Sequence, residues 1–237
     1  MKKIAIVTGC AKGIGKEIAL ELARDGYDII GTYNTSLKEV KILESKINSI
    51  GVNCYLYKLD LLNEDSIKNF CDDINNKFNH IDLLVNNAAL SLDNEFDLKT
   101  ESEFIDVLKV NLVGPFHLVQ NLYKLMDSGI IVNISSTDGI NTYTKLNIDY
   151  SASKAGLINL TKSLSLILEN IKVYAICPNW VSTESIEEMD QEYLKKEMNR
   201  IGQKRLINPK EIAHRLMNLI QSNIKSGSII VVEDSYE

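Results

Sequence analysis

Seven short apolar runs alternate with longer segments of helical period along this chain, and that alternation limits the fold more than any other feature. The runs lie at 4–7 (IAIV), 28–33 (DIIGTY), 54–60 (CYLYKLD), 82–86 (DLLVN), 130–135 (IIVNIS), 173–177 (VYAIC) and 228–232 (SIIVV). Near-continuous Val, Ile and Leu suit strands covered on both faces, as in parallel sheets. The intervening periodicity predicts helices near 13–25, 36–49, 63–77, 101–126 (with room for a break), 150–169 and 209–221. The order predicts an α/β fold, a doubly wound parallel sheet of about seven strands with helices on both faces. With 237 residues and no repeat, low-complexity tract or linker, one domain over 1–237 is expected. A charged stretch, 184–204, interrupts the pattern. In such folds ligands bind beyond the carboxyl ends of the strands. The stretch is therefore either a lid over a substrate or a solvated surface helix.

A formal net charge of −6 argues against a broad basic surface, so nucleic acid is not an expected partner. Cys10, Cys54, Cys71 and Cys177 form no CxxC pair and read as buried or half-buried thiols of a reducing compartment. His80, His117 and His214 are scattered and read as structural, with no metal site. The opening MKKIAIVTG is too short in its apolar run for a signal peptide, and no stretch approaches a membrane span. A cytoplasmic protein without membrane contact is expected.

The first run leads into TGCAKGIGKEIA, with Gly9, Gly13 and Gly15 at the passage from strand to helix. Glycine permits positive φ and close backbone approach, and a helix N-terminus attracts anions. The turn serves either a phosphate or tight geometry alone. The spacing G-x-x-x-G-x-G differs from the common dinucleotide fingerprint G-x-G-x-x-G. It resembles that of the short-chain dehydrogenase/reductase family, whose members carry T-G-x-x-x-G-x-G here. NAD-binding folds usually place an acid near the end of the second strand. This strand ends in Thr32, Tyr33, Asn34, Thr35 and Ser36 without one, and Lys12 sits in the glycine loop. A 2′-phosphate is repelled by acids and welcomed by lysine and hydroxyls, which favours NADP(H) over NAD(H), with Asn34 beside the phosphate. The resemblance further implies that Asp60 meets the adenine with the Leu61 backbone helping. It also gives Asn87 and Ala88 in VNNAAL to the cofactor, together with Ile14, Pro178 and Val181. Thr183 would hold the nicotinamide carboxamide. Ala89 and Asn179 stand where the family has glycine. Asn tolerates a left-handed backbone next best, so the turn at Asn179 is expected to survive as one.

Tyr150 and Lys154, in YSASKAG, fall on one face if the segment is helical. Ionising an ordinary tyrosine at pH 7 costs about 4 kcal/mol, since it titrates near 10. A neighbouring ammonium lowers such a value by roughly 1–3 units, so Lys154 is expected nearly to suffice in making Tyr150 a base. Upstream, NISS closes a strand, and its serine can hold a carbonyl oxygen. The family's set of Ser, Tyr, Lys and Asn falls on Ser136, Tyr150, Lys154 and Asn111. Ser136 is preferred to Ser135 because Gly139 completes the family's S-x-x-G. The resemblance implies that the helix carbonyl of Asn111 holds a water that relays protons to the lysine.

Together these features imply a carbonyl reductase or alcohol dehydrogenase, most similar within the family to the β-ketoacyl-acyl-carrier-protein reductases. That likeness rests on length, Lys12, KAGL and NPKEIA. The implied partner is an acyl thioester or another small substrate such as a sugar, polyol or simple ketone. Helices 101–126 and 150–169 carry more apolar residues than one face needs, and family members pair through them, so a homotetramer is expected. A non-catalytic NADP-binding regulator is the competing class, given Asn179 and a tail, VVEDSYE, that lacks the family's D-G-G.

Overall fold

The computed structural model describes residues 2–234. Residues 235–237 of the altered tail therefore lie outside the described residues. β1 (Ile4–Val7), α1 (Gly13–Arg24), β2 (Asp28–Tyr33), α2 (Leu37–Ile50), β3 (Cys54–Lys58), α3 (Glu64–Lys77) and β4 (Leu83–Asn86) form the first half. α4 (Glu101–Leu108), α5 (Gly114–Leu122), β5 (Ile130–Ile134), α6 (Ile148–Ile167) and β6 (Lys172–Pro178) follow. The chain continues through α7 (Glu184–Glu187), α8 (Gln191–Ile201), α9 (Pro209–Ile220) and β7 (Ile229–Val232). One sheet holds the strands in the order β3-β2-β1-β4-β5-β6-β7, all parallel. The order reverses between β1 and β4, where doubly wound sheets bind ligands.

Successive strand residues feed opposite layers, which is why the runs lack polar alternation. Val7, Ile29 and Val85 pack beneath α1, α2 and α9, against Ile18, Leu43 and Leu216. Ile6, Ile30 and Leu84 pack on the other side, against Ile74, Leu118 and Leu164. Each such side chain contributes about 1.5–3 kcal/mol on burial. Chain chemistry sets the helix ends. Asn63 accepts the Ser66 N–H ahead of α3, and Thr100 and Asn208 form capping boxes with Glu103 and Glu211 ahead of α4 and α9.

The expected strand 54–60 stops at Lys58, because the Asp60 amide turns to the Ser66 hydroxyl at 3.0 Å. The expected helix 101–126 is broken. A π-turn at Lys109–Val113 separates α4 from α5, and a 3₁₀ turn at Tyr123–Leu125 follows. Among the described residues no helix is long and apolar enough to cross a membrane.

Candidate active site

The turns after β1 and β4 are bound to each other. The Thr8 hydroxyl accepts the N–H groups of Asn87 (2.9 Å) and Ala88 (3.0 Å), and the Asn87 amide donates to the Thr8 carbonyl at 2.9 Å. Gly9 adopts φ +62°, and a Cβ there would stand 3.0 Å from the Ala88 Cα. Gly15 serves the tight geometry of the turn. It does not line the cleft, and a Cβ on it would stand 2.4 Å from the Asn87 amide nitrogen and 2.5 Å from the Gly9 carbonyl. It lets α1 start close against the turn.

A cleft of about 450 Å³ opens over this turn, lined by Gly9, Lys12, Gly13, Ile14, Asn34, Asp60, Leu61, Asn87, Ala88 and Thr183. α1 has no side-chain cap of its own. Instead the Gly13 N–H donates to Glu184 Oε2 of α7 at 3.0 Å. A carboxylate thus already stands where an anion would meet the helix N-terminus. With the bare Gly9–Ala88 approach, this makes the residues present fit a phosphate-bearing dinucleotide. Thr32 to Ser36 line the cleft without an acid. Sequence reasoning missed Glu39 of α2, whose carboxylate is 3.9 Å from the Lys12 ammonium with both side chains about half exposed.

A second cavity of about 540 Å³ adjoins the first, sharing Ile14, Asn87 and Thr183 with it. Ser136, Tyr150, Lys154, Pro178 and Val181 line it. Tyr150 and Lys154 stand one turn apart on α6, the ammonium 5.3 Å from the ring centre. Lys154 is 2% exposed, and its Nζ donates to the Ile134 carbonyl at 2.8 Å. The Ser135 hydroxyl donates to the Lys154 carbonyl at 2.9 Å, so it braces β5 against α6. Ser136 Oγ accepts the Asp138 N–H at 3.1 Å.

The electrostatics differ from the expectation that Lys154 nearly suffices to ionise Tyr150. Burial pushes the phenol well above its ordinary value, the Asp138 carboxylate adds to the push, and the Ser136 hydroxyl opposes it. Burial also lowers the Lys154 ammonium to about 8. Both groups lose water, and desolvation disfavours the charged form of each. In the cofactor-free protein Tyr150 is therefore a phenol, the form that donates a proton.

Asn111 is 1% exposed and does not line either cavity. Its side chain takes the Leu90 N–H (2.8 Å) and gives to the Leu90 carbonyl (2.9 Å) and to Ser153 Oγ (3.0 Å). Ser153 in turn donates to the Tyr150 carbonyl at 2.7 Å. The expected left-handed turn at Asn179 is absent, since no described residue other than glycine has positive φ. The Asn179 N–H bonds the Val232 carbonyl at 3.0 Å, and its side chain accepts the Thr137 hydroxyl at 2.5 Å. The backbone bond to Val232 continues the strand pairing and the side chain is anchored by Thr137, so no glycine is needed.

Several cavity residues escaped sequence reasoning. Asp138, Thr142, Asn147 and Trp180 all line the second cavity. Asp149 carried one available signal, its adjacency to Tyr150. Its carboxylate is fully buried, lies 3.0 Å from the buried Lys99 ammonium, and accepts the Tyr150 N–H at 2.9 Å. Lys99 also holds the Leu92 carbonyl, tying the loop after β4 to the start of α6. The four cysteines are free, three of them buried. Among the described residues no group of three metal-ligating side chains occurs.

The family model for short chain dehydrogenases matches residues 3–194. A 3-oxoacyl-[acyl-carrier-protein] reductase of Aquifex aeolicus is 36% identical over 222 residues, spanning 92% of this chain and 89% of the relative. A short chain dehydrogenase from Burkholderia cenocepacia, solved in complex with NADP, superposes with a TM-score of 0.90 at 24% identity, covering 98% of this chain and 96% of that one. The acetoin dehydrogenase of Salmonella typhimurium superposes with a TM-score of 0.84 at 25% identity, covering 100% and 99%. With its parallel sheet, its glycine turn and these matches over most of its length, the chain belongs to the short-chain dehydrogenase family and is an NAD(P)-dependent oxidoreductase.

Proposed function

We propose that the protein reduces a ketone to a secondary alcohol with NADPH. The observation that carries this reading is the half-buried Tyr150 phenol, kept protonated by loss of water on the wall of the second cavity beside Ser136 and Lys154. A bound reduced nicotinamide supplies the hydride. The Ser136 hydroxyl orients the substrate oxygen, and Tyr150 gives it a proton as negative charge develops there. Lys154 stabilises the phenolate left behind, at a cost that its own burial raises. Asn111 acts as a positioning residue. It fixes Leu90 at the cavity wall, and through Ser153 the backbone of Tyr150. The assigned water relay to Lys154 would run through its main-chain carbonyl.

For the cofactor, the acid-free Thr32–Ser36 segment and Lys12 support NADPH over NADH, with Asn34 beside the 2′-phosphate, while Glu39 works against it. Gly9, Gly13, Ile14, Asp60, Leu61, Asn87 and Ala88 line the part of the groove assigned to the dinucleotide. Pro178, Val181 and Thr183 lie on the nicotinamide side. Residues 184–204 form α7 and α8, and Ser185, Ile186, Met189 and Ile201 face the second cavity, which supports a lid. Exposed Ile105, Val113, Phe116, Leu166 and Ile167 on α4, α6 and the segment between α4 and α6 support a homotetramer.

NADPH oxidation followed at 340 nm tests the reading. The substrates are 3-oxoacyl thioesters, which the Aquifex relative is named for, beside hydroxyketones, sugars and plain ketones. Turnover lost in Tyr150→Phe supports it. NADPH binding without turnover of any carbonyl favours the regulator instead.

A further inference from the structure

The proposed reaction needs only Ser136, Tyr150 and Lys154 around the carbonyl, yet the cavity holds further polar groups that they leave unexplained. Asp138 lies two residues beyond Ser136 and lines the cavity. One of its oxygens takes the Thr142 hydroxyl at 2.6 Å, and among the described residues the other accepts no hydrogen bond. Asp93, an exposed residue of the loop after β4, borders the same cavity, with one oxygen taking the Ser91 hydroxyl at 3.1 Å. Asn147, immediately before α6, is 6% exposed, and its Oδ1 is buried without a hydrogen-bond partner. It could cap α6 but does not.

Ionised carboxylates only accept hydrogen bonds. A buried amide oxygen without a donor is an unpaid cost unless something outside the chain supplies one. The charged neighbours do not cancel the acids. Arg200 is paired with Glu197, and its Nη2 also donates to the Thr142 and Tyr143 carbonyls. Lys154 is turned to the Ile134 carbonyl. An anionic substrate is therefore repelled, and a purely apolar one leaves these acceptors unmatched.

We propose that the substrate is an uncharged ketone bearing hydroxyl groups beside its carbonyl, which Asp138, Asn147 and Asp93 recognise by accepting their hydrogen bonds. This rests on the reductase reading and narrows its substrate class. The facing apolar side chains, Trp180, Ile186 and Met189, cover the carbon skeleton. A site built around a substrate hydroxyl rejects the analogue lacking it far more strongly than a hydrophobic pocket rejects an added group.

The test uses four probes of one carbon framework with full-length protein and NADPH: 1-hydroxy-2-butanone, 2-butanone, acetoacetate and the acetoacetyl thioester of N-acetylcysteamine. The expected kcat/KM is highest for the hydroxyketone, at least ~10-fold above 2-butanone, and lowest for acetoacetate. Asp138→Asn should lower the hydroxyketone's kcat/KM relative to that of 2-butanone, through KM, and raise that of acetoacetate. Asn147→Ala, which removes the unpaired oxygen without touching the Thr142 contact, should likewise weaken only the hydroxyketone. Reduction of the thioester in preference to the hydroxyketone, with the order unmoved by either variant, overturns the inference and leaves the reductase reading standing. Turnover of no probe counts against the reductase reading. The binding arm then decides this one: Trp180, the single tryptophan, lies on the cavity wall and reports occupancy by fluorescence. Hydroxyketone binding to the NADP⁺-loaded protein that tightens no further than acetoacetate binding overturns the inference. Tighter binding, lost in Asp138→Asn, supports it.

Discussion

The carboxylate of Glu184 accepts the first N–H of α1, that of Gly13, at 3.0 Å across 171 residues of sequence. It occupies the position that the fold offers to a phosphate, so carboxylate and dinucleotide compete for the same donor. A helix N-terminus favours an anion by about 0.3–1 kcal/mol. Glu184→Gln should therefore tighten NADPH binding by roughly 2- to 5-fold. Titration of NADPH fluorescence checks this. Unchanged or weaker binding would mean that Glu184 helps to hold the cofactor rather than standing in for it.

Cofactor preference turns on the end of β2. NADPH should bind more tightly than NADH, and Asn34→Asp should narrow or reverse the difference by placing an acid beside the 2′-phosphate. Equal affinities in the unaltered protein would reject the assignment and give Glu39 the larger influence over Lys12.

Loss of the phenol should separate chemistry from binding. Tyr150→Phe is expected to lower kcat by roughly 10²- to 10⁴-fold with NADPH affinity intact. Ser136→Ala should cost about 10²- to 10³-fold. Steady-state rates with a turned-over ketone, beside a cofactor titration, show whether the two effects part in this way.

In the oxidation direction Tyr150 must first lose its proton, so the rate should rise with pH. The Lys154 charge favours the phenolate, and its removal in Lys154→Met should shift the rise to higher pH. Burial already holds the phenol high and lowers Lys154 to about 8, so the shift should be largest below that pH, where the lysine is still charged. A midpoint that does not move would assign the titration to another group.

The Lys99–Asp149 pair lies out of water on both sides. Removing one partner strands the other, at a cost of about 3–5 kcal/mol. Lys99→Met and Asp149→Leu should each lower stability in urea by that order, while the double variant recovers most of the loss. Additive losses would show that the two charges do not depend on each other.

The seven strands and the doubly wound order were legible because Ile6 and Val7, or Leu84 and Val85, each bury on opposite layers, which removes polar alternation from the runs. The glycine turn was legible because its φ and close-approach demands are local. Its division of labour was not, since what crowds Gly15 is Asn87, far along the chain. Asn179 was misjudged for the same reason: its conformation follows from Val232 and Thr137. Glu184, Asp138 and Asn147 look like ordinary surface or capping residues in sequence. Only the folded chain brings them to the two adjoining cavities. The pKa balance at Tyr150 also depends on burial, which residue spacing does not report.

The π-turn at Lys109–Val113 holds one residue more per turn than a regular helix needs. An insertion elsewhere in α4 or α5 would rotate everything beyond it by about 100° and swing Leu118 and Leu122 off the sheet. Excising a residue from the wide turn does the reverse. The two flanking helices keep their phase and run on as one, and what disappears is the clamp by which Asn111 grips both polar groups of Leu90. At this point the length of the chain serves the site rather than the scaffold, and a deletion of one residue can divide the two.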